Sequence, residues 1–140
     1  MSNQPAQNNK NFFSVAPQLL VNKVIDAAEY YRDKLGFQIG PYARHEEGAP
    51  PYFVLVTRDG FFVQLRICAG EQPRPNRTFD REACDVYIFV KDVEALYQEF
   101  KRNGANIVNE PEDKYYSMRE FQVEDLNGYL LAFGMPLAHD

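Results

Sequence analysis

Two carboxylates stand out among the residues able to do chemistry. Asp85 opens the segment DVYIFV and Glu120 sits within MREFQVE, each on the less apolar face of its strand. Two such groups brought close in a cleft can divide the work of general acid and general base. Ion pairing is the structural alternative, with Arg66 as the inward partner. Tyr115 and Tyr116 precede the strand that carries Glu120. A tyrosine offers a large apolar face with a polar tip at small entropic cost, so one of the pair is expected to line a binding face. Cys68 and Cys84 flank a mid-chain connector with no histidine beside them and read as structural thiols. The two histidines, His45 and His139, fall in a loop and at the penultimate position. Neither suits a two-histidine, one-carboxylate metal site, which needs side chains held on rigid strands. The chain contains no glycine-rich phosphate loop, nucleophile elbow or C-x-x-C motif.

The elements that must position these residues occur in the same order twice. Val15–Val21 reads as a strand, followed by a helix with Asp26 as N-cap and Glu29 three residues on, the pattern of a capping box. Ala27, Tyr31 and Leu35 give that helix its apolar stripe, and Gly36 stops it. Strands then follow at Phe37–Arg44, Tyr52–Arg58 and Phe61–Ile67, the last two joined by the hairpin signal Asp59-Gly60. The second half repeats this scheme. Asp85–Val90 is a strand, Asp92 an N-cap, Val93, Leu96, Tyr97 and Phe100 a helical stripe, and Gly104 its stop. Asn106–Asn109, Met118–Glu124 and Tyr129–Gly134 are its strands, the last pair turning at Asp125–Gly128. Val21 and Val90 lie 69 residues apart, and Gly36 and Gly104 lie 68 apart. The expected fold is therefore α+β. Paired βαβββ modules form a curved eight-stranded mixed sheet around a cavity, with the helices on the convex face.

Strand alternation assigns the faces. Val63, Leu65 and Ile67 are expected to pack on a helix, leaving Phe62, Gln64 and Arg66 inward. By the same rule Asp85, Tyr87 and Phe89 share a face, as do Met118, Glu120 and Gln122. A half-solvated sheet is the plain reading of such faces. Aromatic residues repeated on them argue instead for a ligand cavity.

Composition narrows the function. The 140 residues fit one domain and are 45% hydrophobic and 25% charged, as in an ordinary globular protein. Residues 1–11 read as a polar, disordered tail. Residues 12–137 read as a single domain with modules at about 12–69 and 82–137. A net charge of −5 lacks the basic excess of a nucleic-acid binder. No apolar run approaches the roughly 20 residues needed to cross a bilayer, and no basic-then-apolar segment opens the chain. Two cysteines fit a reduced compartment, so a cytoplasmic location is expected.

Three segments resemble the vicinal oxygen chelate superfamily, which includes glyoxalase I, extradiol dioxygenases, fosfomycin resistance proteins and bleomycin resistance proteins. They are Tyr30–Phe37, Asp85–Val93, and Met118–Phe121 with Asp125–Leu131, and the resemblance runs from about Val15 to Met135. It implies metal ligands on the inward face of the first, fourth, fifth and eighth strands. Carried over by motif, these positions fall on Ala16 or Gln18, on Gln64, on Asp85 where a histidine is common, and on Ala132 where a glutamate is usual. Alanine ligates nothing and glutamine is a weak neutral ligand. The expectation is thus a small-molecule-binding protein of the glyoxalase or bleomycin-resistance type, without the catalytic metal site and with no cofactor. The alternative is an enzyme of the same superfamily, a metal-dependent or metal-free lyase, isomerase or dioxygenase. The expected ligand-binding residues are Gln18, Phe62, Gln64, Arg66, Asp85, Tyr87, Phe89, Tyr115, Tyr116, Glu120 and Gln122; none is assigned a catalytic role. Their aromatic faces and excess of acid over base favour a small amphipathic or cationic aromatic ligand. A homodimer is implied by the resemblance.

Overall fold

A helix forms at Val24–Leu35 (α1) because Val24, Ala27, Ala28, Tyr31 and Leu35 place one continuous apolar stripe against the first sheet. Its companion at Val93–Asn103 (α2) does the same with Val93, Tyr97 and Phe100. Both end on a left-handed glycine, Gly36 at φ 74° and Gly104 at φ 78°, whose amides return to carbonyls of the last turn. Asp92 caps α2, its Oδ1 accepting from the Ala95 amide at 3.0 Å. The expected capping box on α1 does not form. Val24 is drawn into the core, which starts the helix early with Lys23 at the cap and leaves Asp26 exposed inside the first turn.

The computed structural model of the chain describes residues 10–138. Most of the expected tail, and His139, lie outside that range. Around the helices run β1 (Gln18–Val21), β2 (Gln38–Ile39), β3 (Phe53–Arg58), β4 (Phe61–Ile67), β5 (Val86–Phe89), β6 (Asn106–Asp113), β7 (Met118–Glu124) and β8 (Leu130–Pro136). The paired βαβββ architecture is as expected. The eight strands divide into two separately bonded mixed sheets, ordered β1-β4-β3-β2 and β5-β8-β7-β6, which do not close on each other. The first and last strands of each module pair in parallel, and the remaining ladders are antiparallel. β2 is shorter than expected: the Gly40 amide still donates to the Leu55 carbonyl at 2.9 Å, Pro41 has no amide to offer, and the chain meets β3 again at the Ala43–Phe53 bridge. β6 is longer than expected; on this sheet edge its pairing with β7 carries two register shifts, the second of which spans Pro111.

Buried residues of both modules form one cluster. Val54, Val56, Val63 and Leu65 line its first side, and Phe121, Val123, Leu131 and Phe133 its second. Phe100 packs edge-on to Phe133 at 5.1 Å, and Phe121 stacks on Phe133 at 5.3 Å. Polar contacts cross the same seam. Tyr31 donates to Asp125 at 2.7 Å and Tyr129 to the Leu20 carbonyl at 2.7 Å. Arg58 forks onto Glu99 at 2.7 and 2.8 Å and also reaches the Leu35 carbonyl. The helix faces and the seam between the modules therefore account for the core.

Candidate functional site

Register fixes what stands on the inward faces. Gln18 of β1 lies opposite Gln64 of β4, and the two side chains are bonded, Gln18 Nε2 to Gln64 Oε1 at 2.8 Å. This selects Gln18 over Ala16, which precedes the strand. The matching pair in the second module is Tyr87 opposite Ala132. Across β7 and β6 the row continues through Gln122 to Asn109, whose Oδ1 is buried without a hydrogen-bond partner. The next row is Phe89, Gly134, Glu120 and Glu112.

Glu120 is the centre of that second sheet. It is 4% exposed, and its carboxylate accepts from two phenols, Tyr87 at 2.5 Å and Tyr116 by a short bond. Tyr87 reaches it from two strands away by lying across β8. A Cβ built on Gly134 would stand 2.0 Å from the Tyr87 hydroxyl oxygen, so only glycine leaves room for that crossing. Burial, reinforced by the carboxylate beside them, holds both hydroxyls well above the ordinary tyrosine range, and they stay protonated donors. Phe89 is 73% exposed and tilts against Tyr87 at 5.0 Å, while Tyr115 packs edge-on to Tyr116 at 5.1 Å. Tyr87, Phe89, Tyr115, Tyr116 and Glu120 are thus brought into one group.

The other expected site residues stand apart from it. Asp85 spends both oxygens on backbone amides, Oδ1 on Asn76 and Oδ2 on Leu130, each at 2.8 Å. It ties the connector, here a short 3-10 turn at Asn76–Thr78, to the start of β8. Arg66 pairs with neither acid and lies over the Tyr52 ring at 5.9 Å. Phe62 is half-buried, and Gln122 occupies the row with Ala132. Cys68 and Cys84 are free thiols, and burial raises that of Cys84. Among the described residues no three His, Cys, Asp or Glu side chains converge as a metal would require. Two surface depressions, of about 390 Å³ beside Arg58 and Glu99 and about 480 Å³ along Tyr97 and Ala105–Glu110, lie off the Glu120 group.

Two positions that shape this region do not stand out in the sequence. Gly134 could have been found, since a glycine inside a strand signals close approach of another group. Asp125 stands in the closing-hairpin segment as a turn residue, with nothing in the sequence to mark its burial. It is buried, accepts from Tyr31 and from the Asn127 and Tyr129 amides, and its pKa is pushed up to about 6 by burial against the opposing pull of those bonds.

Two βαβββ modules, each pairing its first and last strand in parallel, define the class of fold. Residues 14–133 match the model of the Glyoxalase/Bleomycin resistance protein/Dioxygenase superfamily, and the chain belongs to that family. Solved structures agree on the fold. TioX from Micromonospora sp. ML1 is 21% identical, with 90% of this chain and 100% of that chain covered and a TM-score of 0.68. A glyoxalase-related enzyme from Clostridium phytofermentans is 13% identical over 91% and 98%, with a TM-score of 0.74. A glyoxalase/bleomycin resistance protein/dioxygenase from Alicyclobacillus acidocaldarius is 16% identical over 90% and 92%, with a TM-score of 0.70. No curated protein matches the chain in sequence. No helix among the described residues is long and apolar enough to cross a membrane.

Proposed function

We propose that the protein binds a small amphipathic or cationic aromatic molecule on its inward sheet faces without a chelated metal. One observation carries this reading: the side chains at the expected ligand positions are satisfied by the protein itself. Gln18 is bonded to Gln64, both Asp85 oxygens hold amides, and Ala132 has no donor. That set does not fit a divalent transition metal, which takes imidazole, carboxylate or thiolate from several strands at once. The aromatic group over Glu120 offers a ligand apolar area in its place. A homodimer acting in the cytoplasm belongs to the same reading, and Leu20, exposed on the inward face of the first module, supports a partner covering that face.

Elemental analysis of protein purified without chelator, with melting curves in the presence and absence of EDTA, tests the reading. The expected result is no stoichiometric metal and an unchanged Tm, because a metal bound to the native state would stabilise it by mass action. One equivalent of Zn, Ni, Mn or Fe per chain, lost on Asp85→Ala, would overturn it in favour of a metal-dependent enzyme. Sedimentation velocity should give a two-chain mass.

A further inference from the structure

Among the described residues Glu120 takes part in no ion pair. Directly across the ladder, Glu112 is bound by Lys114, so the local cation is already committed. A carboxylate that is almost wholly buried and held only by two neutral hydroxyls lacks its counter-charge. Each phenol gives its single hydrogen to Glu120. Its oxygen is then left as an acceptor, made more electron-rich by the carboxylate it is bonded to. In front of the buried charge stand two such oxygens, the Tyr87 and Tyr116 rings, and the exposed face of Phe89. An incoming anion would find both hydroxyl hydrogens occupied and a like charge behind them. An incoming ammonium would find oxygen acceptors, ring faces and an unpaired anion.

The geometry points to a site for the ammonium group of an aromatic amine on Tyr87, Tyr116 and Phe89, with Glu120 as a buried counter-ion acting through the two phenols. The inference rests on the reading of this face as a small-molecule site and names the group that selects the ligand. Gly134 belongs to the site as the floor that lets Tyr87 reach Glu120.

Calorimetric titration of the full chain with 2-naphthylmethylamine, 2-naphthylmethanol and 2-naphthoate tests it, because the three differ mainly in charge. The amine should bind at least about tenfold tighter than the alcohol, with naphthoate weakest and added salt weakening the amine alone. Glu120→Gln should bring amine and alcohol to within about threefold, and Tyr87→Phe and Tyr116→Phe should each cost the amine about fivefold. Equal binding of amine and alcohol, or tighter binding of naphthoate, with Glu120→Gln neutral, would overturn the ammonium site and leave small-molecule binding standing. Failure of all three to bind would overturn both. If Glu120→Gln does not fold, the two phenylalanine variants decide: an amine preference untouched in both overturns the inference.

Discussion

Asp125 shows how much one buried carboxyl can shape the behaviour of the chain. Its folded pKa of about 6 lies above the ordinary aspartate value of 3.8, so the native state holds more protons than the unfolded state between those values. Stability contributed by this group is therefore fully present below about pH 3.8 and is lost as the pH rises through about 6, ~3 kcal/mol in all. Asp125→Asn keeps the side-chain shape and removes the titration. Urea unfolding from pH 4 to 7 should show the wild type losing stability relative to the variant across that window; parallel curves would contradict the assignment. Glu99 works in the opposite sense. The Arg58 fork holds its pKa below the usual carboxylate range, so its contribution is present above about pH 4.5 and fades as acid is added. Spacing and motif place Asp125 in the closing turn but do not show its burial beside Tyr31, which is 94 residues away. Glu120 was legible as an inward acid, since alternation alone places it there. Asp85 was equally legible by that rule, yet both its oxygens are taken by amides that sequence pattern does not bring near.

At the scale of elements, helix and strand patterns carried most of the fold. The apolar stripes, the two glycine stops and the β4 and β7 limits all follow from local spacing. Where local rules competed, burial won. Asp26 has the side chain of an N-cap but the helix begins at Val24, and Asp92 has both the side chain and the position. Asp92→Ala should therefore cost about 1 kcal/mol, whereas Asp26→Ala should cost less than ~0.5 kcal/mol, a contrast chemical denaturation can resolve. Phe100 is 1% exposed between α2 and the second sheet. Phe100→Ala should cost about 3–5 kcal/mol by lost burial and the cavity left behind. A loss below about 1 kcal/mol would mean that the α2 face is wrongly assigned.

The whole molecule is two similar modules joined by a seam rather than by their connector. Tyr31, Tyr129, Arg58 and the shared core cross that seam, while residues 70–81 run over the outside, pinned by Asp85 and by the Arg77–Glu124 pair. A proteolytic cut between Gly70 and Gln72 should consequently leave the two fragments co-eluting in gel filtration with an unchanged far-UV spectrum. Fragments that separate under native conditions would show that the connector holds the modules together. The repeat itself was plain in the sequence, because spacing survives where side chains diverge. That the strands divide into two open sheets was not, since pairing between distant strands leaves no local mark.

The crossing of Tyr87 over Gly134 constrains the order in which these two positions can change. While Tyr87 is present, any side chain at 134 meets its hydroxyl and must push it off Glu120. Once Tyr87 is replaced by a smaller residue, position 134 is released, and larger residues become admissible there at little further loss. In a library randomised at both sites and selected for ligand retention, side chains beyond glycine at 134 should therefore be recovered only with something smaller than tyrosine at 87. Free combination of the two would show that they are inherited independently.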